Sequence, residues 1–132
     1  MFIITNIINL VVCIYKYGTH NLVSMKNAPI KVTARCPIRT TLELVGGKWK
    51  LLILFQLHEK PLRLFELKNQ IPDISEKMLI QELKTLSNSE LVIRNNFGEV
   101  PPRVEYYLTN KGQKIIPLIE QMKIFAHYYF AD

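Results

Sequence analysis

Residues 74–86 read ISEKMLIQELKTL, and this stretch limits what the chain can fold into more than any other. Ile74, Leu79, Leu83 and Leu86 recur close to the helical period and fall on one stripe of a helix. Lys77, Gln81, Lys84 and Asn88 form the opposite stripe, with Met78 and Thr85 at its margin. That second side is long-chained and free of carboxylates, while Glu76 and Glu82 stand on its flanks. Such a helix buries one side in a small core and offers donors from the other to base edges and phosphates. Ser75, directly ahead, carries a hydroxyl suited to cap the free N–H groups of the first turn.

The following segment, LVIRNNFGEVPPRVEYYLT, reads as a hairpin. Residues 91–94 and 104–108 are β-branched and aromatic runs, and Asn95-Asn96, Gly98 and Pro101-Pro102 break the chain between them. Arg94 and Arg103 flank the turn, where they can reach a sugar-phosphate backbone or a minor groove. Upstream, residues 63–69 form a short helix that starts at Arg63, a candidate backbone contact, and Pro72-Asp73 makes the turn into the two-faced helix. A helix–turn–helix followed by a basic-tipped hairpin is a winged helix. The expected fold class is therefore mainly α with a small β-hairpin wing, a winged helix-turn-helix expected to dimerise through its N- and C-terminal helices.

The flanking segments supply the core. Pro37 suits a helix N-terminus, and Ile38, Thr41, Leu42 and Val45 predict a short amphipathic helix stopped by Gly46-Gly47. Residues 48–58, KWKLLILFQLH, are apolar around most of the circumference and predict the central core helix. Trp49 within it reads as a core or interface anchor. Thr109 is placed to cap a long C-terminal helix bearing Ile115, Ile116, Ile119, Met122, Phe125, Ala126 and Tyr129, with Pro117 expected to kink it or leave a carbonyl unpaired. That helix has more apolar face than one small domain covers, and a second subunit is the natural use for the surplus.

A chain of 132 residues supports one domain with a modest core, to which dimerisation would add burial. The net charge of +6 suits a polyanionic partner without establishing one. Catalysis has little to stand on: there is no P-loop, no GxGxxG and no GxSxG. His20, His58 and His127 are scattered, so no metal and no cofactor is expected, and His58 reads as a helix-end residue and His127 as a surface or interface residue. Glu43, Glu66 and Glu105 read as solvated or pairing carboxylates rather than an acid/base pair.

The first 24 residues differ in character, with an apolar MFIITNIINLVVCIY run and Lys16 as the sole charge before Met25. The run is shorter than the roughly 20 residues that span a bilayer. It also lacks the basic flank and the cleavage site of a signal peptide. Residues 1–24 are therefore expected to be a doubtful leader ahead of an initiator at Met25, with residues 25–132 forming the domain. A membrane anchor or an extra strand or helix stands as the alternative. No stable membrane association is expected, and a cytoplasmic location follows.

From Cys36 onward the chain resembles the HxlR-type winged helix-turn-helix regulators of bacteria. The resemblance rests on Cys36-Pro37-Ile38, Gly46-Gly47-Lys48-Trp49, Pro61-Leu62-Arg63, Glu66-Leu67, the block from Ile71 to Leu79, and Val100-Pro101-Pro102-Arg103-Val104-Glu105-Tyr106 with Leu108-Thr109 and Gly112. It covers nearly everything from Cys36 to about Phe125. It implies a dimeric DNA-binding transcription factor. Two positions depart from the family pattern: Phe65 replaces a small or polar residue, and Ser89-Glu90 replaces an acidic residue followed by Gly. Loss of that Gly leaves Asn88 as a candidate for the left-handed position at the helix end.

Cys36 keeps two readings. One is a partly buried structural thiol. The other, which the resemblance implies, is a sensor of electrophiles or oxidants, helped by Arg35, Arg39 and the positive end of a helix dipole. With Cys13 in the doubtful leader, a disulfide would join two subunits or capture a small thiol.

The expected function is thus a sequence-specific regulator, a homodimer on a pseudo-palindromic operator in double-stranded DNA, with a small-molecule or electrophile inducer as a further partner. Lys77, Met78, Gln81, Lys84 and Thr85 would face bases or phosphates, Ser75 and Arg63 the backbone, and Arg94 and Arg103 would act from the wing. The competing reading is a winged-helix protein-interaction module without DNA binding. A third, a membrane-tethered regulator, depends on the leader.

Overall fold

The computed structural model describes residues 36–131, so the leader, Met25, Cys13, His20 and Arg35 lie outside the described residues. The chain runs through α1 (Pro37–Val45), α2 (Lys50–Gln56), α3 (Leu64–Gln70), α4 (Glu76–Asn88), β1 (Val92–Asn96), β2 (Val104–Leu108), α5 (Asn110–Gln113) and α6 (Ile116–Tyr129). This is a winged helix-turn-helix. The expected stripe is its centre: Leu79, Leu83 and Leu86 of α4 are fully buried against Ile53 and Leu54 of α2, Leu67 of α3, and Leu62 and Ile74. Each such side chain contributes roughly 1.5–3 kcal/mol on removal from water. No helix of the described residues is long and apolar enough to cross a membrane.

Local hydrogen bonds set the angle between α3 and α4. The backbone N–H of Arg63 donates to Glu66 Oε2 at 2.6 Å and closes the first turn of α3. Lys68 Nζ donates to the carbonyl of Pro72 at 2.8 Å, which spans the turn. Ser75 has the expected capping role, its Oγ accepting from the Met78 N–H at 3.2 Å.

The wing is an antiparallel pair in which Val92 faces Leu108 and Asn96 faces Val104. Its first strand lies later than the expected 91–94, because the Leu91 N–H turns back to the Leu86 carbonyl at 3.0 Å and closes the end of α4. A further bridge joins the wing to the helices: Leu62, just before α3, exchanges backbone hydrogen bonds of 3.0 and 2.8 Å with Tyr106 of β2.

Three expectations are corrected. The left-handed position is taken by Glu90, at φ 58°, and not by Asn88, which stays in α4. The Thr109 hydroxyl donates to the Glu90 carbonyl at 2.6 Å and Lys111 pairs with the Glu90 carboxylate, so tertiary contacts hold a conformation that the side chain itself disfavours. The long C-terminal helix is broken in two: Thr109 caps only α5, which ends at Gln113, and Pro117 sits in the first turn of α6. In one continuous helix the Pro117 ring would meet the carbonyl of Gln113 and leave it unpaired, so the break falls between them. Helix α2 is also shorter than expected. Leu57 and His58 continue as a turn, with the His58 N–H on the Phe55 carbonyl at 3.2 Å. Gly112 fits where a side chain would not, since a Cβ there would lie 2.2 Å from the Leu91 carbonyl oxygen.

The strain at Glu90 gives a stability prediction. Its carboxyl is held below the usual carboxylate range by the hydrogen bond and charge of Lys111. A depressed carboxyl contributes stability above its unfolded pKa, and the contribution is lost as pH falls through the folded value. Glu90→Gly is expected to raise the melting temperature by a few degrees at neutral pH, because relief of the backbone outweighs an exposed ion pair. Glu90→Ala, which keeps the strain and loses the pair, should lower it. The advantage of Gly over wild type should widen on acidification, as thermal melts at neutral and mildly acidic pH would show.

Candidate nucleic-acid interface

Burial of Leu79 and Leu83 turns the other side of α4 outward, where Lys77, Met78, Gln81 and Lys84 are exposed. Thr85 is half-buried, and its hydroxyl donates to the Gln81 carbonyl at 3.0 Å. Ser75 is exposed at the N-terminal end of the helix, where its capping oxygen retains an O–H for a phosphate. These residues lie on one helix with positive charge and donors facing solvent, a surface able to meet the edges and backbone of a nucleic acid.

The basic residues of the wing divide. Arg94 is exposed in the middle of β1, opposite Tyr106. Arg103, at the end of the turn, donates from Nε to Glu105 Oε1 at 2.9 Å, and the Nε of Arg63 lies 3.8 Å from the same oxygen. Arg103 also sits over the Phe97 ring at 4.5 Å from its centroid. The fold therefore brings Arg63 of the helix-turn-helix and Arg103 of the wing to one carboxylate.

The linkage through Glu105 and Phe97 joins residues that local sequence pattern does not bring together, and it gives Glu105 a pairing role. Its signal in the sequence is the spacing of Arg103 and Glu105, two apart in an extended stretch and so on one side of it. Beside this cluster lies an open cleft of about 400 Å³ lined by Arg63, Phe65, Lys68, Glu76 and Val104. Phe65, one of the two departures from the family pattern, is exposed on it.

Two further features lie away from this surface. Cys36 is a buried free thiol immediately before α1. Helix α1 leaves Ile38 and Leu42 exposed, burying only Val45 of its stripe, and α6 leaves Met122, Phe125 and Tyr129 exposed while burying Ile116 and Ile119. Leu42 is 62% exposed and Phe125 is 65% exposed, values that an apolar side chain facing a core would not have. Phe125 and Tyr129 stack on each other with ring centroids 6.0 Å apart. Elsewhere His58 Nδ1 meets Gln113 Oε1 at 3.2 Å, and Trp49 is half-buried against the core.

Comparison with known proteins agrees with this architecture. The profile of the HxlR-like helix-turn-helix family matches residues 44–132. The uncharacterized HTH-type transcriptional regulator YkvN of Bacillus subtilis is 44% identical over 94 residues, covering 71% of this chain and 80% of YkvN. Among solved structures, a putative transcriptional regulator from Porphyromonas gingivalis W83, described as of the MarR family, superposes with a TM-score of 0.70 at 45% identity, covering 75% of this chain and 96% of that one. The redox regulator HypR in its oxidized form superposes with a TM-score of 0.67 at 34% identity, covering 70% of this chain and 96% of that one. On the strength of the family match and of relatives at this identity, the chain belongs to the HxlR-like helix-turn-helix family.

Proposed function

We propose that residues 25–132 act as a sequence-specific, DNA-binding transcriptional regulator that works as a homodimer on a pseudo-palindromic operator. The observation that carries this reading is the outward side of α4, where Lys77, Gln81 and Lys84 are exposed directly opposite the buried leucines. Gln81 is the candidate base reader, since its amide presents a donor and an acceptor together, as an adenine edge requires. Lys77, Lys84 and Thr85 add phosphate or base contacts, Met78 adds apolar contact, and Ser75 and Arg63 bind the backbone. Arg94 and Arg103 act from the wing. The similarity to YkvN, described as an HTH-type transcriptional regulator, supports the same reading. A protein-interaction module is disfavoured because such a helix would present mainly apolar anchors, whereas α4 exposes Lys77, Gln81 and Lys84 along with Met78 and Ile80.

The exposed apolar side chains of those two helices are proposed as the dimer contact. Two copies would place their α4 helices in major grooves about 34 Å apart, one turn of DNA. Phe125→Glu is expected to give a folded monomer by sedimentation, with operator affinity reduced by about tenfold or more once the second half-site is no longer held.

Base reading and backbone binding separate in titration. Gln81→Ala should cost roughly 1–3 kcal/mol on the cognate site and relax base preference, while Arg103→Ala should weaken binding to every sequence and reduce the salt slope by about one ion. Binding isotherms at several salt concentrations on DNA flanking its own gene measure both. Unchanged cognate affinity for Gln81→Ala would remove α4 from the interface.

Thiol responsiveness through Cys36 is part of the proposal, supported by the similarity to a protein described as a redox regulator and by the position of the thiol at a helix start. Treatment with diamide should lower the operator affinity of the wild type and leave Cys36→Ser unaffected. An equal response from both proteins would make Cys36 structural.

A further inference from the structure

We infer that Glu105 is a positioning residue of the nucleic-acid interface, its carboxylate holding Arg63 of the helix-turn-helix and Arg103 of the wing as one preset pair of phosphate-binding cations. The inference rests on the DNA-binding reading above and adds a role for an acidic residue that this reading does not use.

The backbone brings the three side chains together. Leu62 and Tyr106 exchange two main-chain hydrogen bonds, so their chain neighbours Arg63 and Glu105 come side by side. Arg103 is two residues before Glu105 on the same face, and the Phe97 N–H donates to the Arg103 carbonyl at 3.0 Å, which fixes the base of the turn. Both guanidiniums approach Glu105 Oε1 through Nε, at 2.9 Å for Arg103 and 3.8 Å for Arg63. Arg103, hydrogen-bonded through Nε, keeps four N–H donors on its terminal nitrogens for another acceptor, and Arg63, paired by charge at a distance too long for a hydrogen bond, keeps all five. Phe97 supports the Arg103 plane at 4.5 Å from the ring centroid, so that side chain is restrained by both a charge and a ring.

Burial orders the cluster. The Glu105 side chain is 17% exposed, against 45% for Arg63 and 39% for Arg103, so the carboxylate lies beneath the cations it pairs with. An approaching phosphate therefore meets donors first and the buried charge only at longer range. Without the carboxylate, two neighbouring cations repel each other and each regains rotamer freedom that phosphate binding must remove again. The pair also spans two elements, so its spacing fixes how wing and helix-turn-helix sit on one stretch of backbone.

The opposite expectation is available from charge alone. Glu105→Gln removes a negative charge from a surface that meets a polyanion, and long-range electrostatics by itself predicts tighter binding. Positioning predicts weaker binding. The sign of the change therefore decides between them.

The test is fluorescence anisotropy on duplex DNA from the flank of its own gene, at several salt concentrations, with melting curves for each variant. Glu105→Gln is expected to bind about five- to tenfold more weakly, the range for losing one charge-assisted contact. Arg103→Lys keeps the charge but lacks the anchored fork, leaves Glu105 in place, and should weaken binding several-fold as well. In an Arg63→Ala/Arg103→Ala background Glu105→Gln should have no further effect, a coupling that a purely structural role would not produce. Glu105→Gln binding as tightly as wild type or more tightly overturns the inference, as does equal affinity for Arg103→Lys. A loss of affinity that persists undiminished in the double-Ala background overturns it too. Failure of the DNA-binding reading looks different: the wild type itself would bind no duplex, and Arg103→Ala would change nothing.

Discussion

Leu79, Leu83 and Leu86 lie on one stripe of α4, all three are buried, and the helix is tied to its place by contact with Ile53, Leu54 and Leu67. A helix held by three leucines along one side has no freedom to rotate about its axis without exposing them, at a cost of several kcal/mol. The outward direction of Lys77, Gln81 and Lys84 is therefore a consequence of core packing. The end of α4 is closed by the Leu91 N–H on the Leu86 carbonyl, and Val92 begins the wing directly after it.

The second organising contact is the bridge between Leu62 and Tyr106. A two-stranded hairpin is marginal by itself and needs packing or a further strand partner to keep a fixed attitude. Here a single residue outside the hairpin, Leu62, supplies that partner, while Tyr106 and Leu108 fill the core beneath. Its result is chemical as well as mechanical, since it brings arginines from separate parts of the chain to one carboxylate. At the other end of the hairpin, Thr109, Lys111 and Gly112 gather around Glu90 and Leu91, so both ends of the wing are secured by polar contacts with helical segments.

Small winged helices bury little, and this one leaves apolar side chains of α1 and α6 in water. These side chains lie on the first and last helices of the described residues, apart from the polar side of α4.

Much of the fold was legible in the sequence because it depends on local pattern. The 3.6-residue period of the leucines, the Ser75 cap and the Val- and Tyr-containing run at 104–108 each specify an element from nearest neighbours alone, and α4 and β2 stand where they imply. Pro117 also carried its signal, yet whether it would kink a helix or divide it depended on Gly112 reaching the wing root and Ile116 reaching the core. Asn88 is the better left-handed residue by propensity, but Glu90 takes that conformation because Thr109 and Lys111 hold it there from some twenty residues away. The candidate site divides in the same way. The polar face of α4 follows from one helix and its period, whereas the joining of Arg63 to Arg103 through Glu105 requires two segments about forty residues apart in sequence to share backbone hydrogen bonds. Sequence by itself determined which faces are apolar and which residues can donate; the tertiary structure decided which donors stand together, because only long-range contacts fix the distance between them.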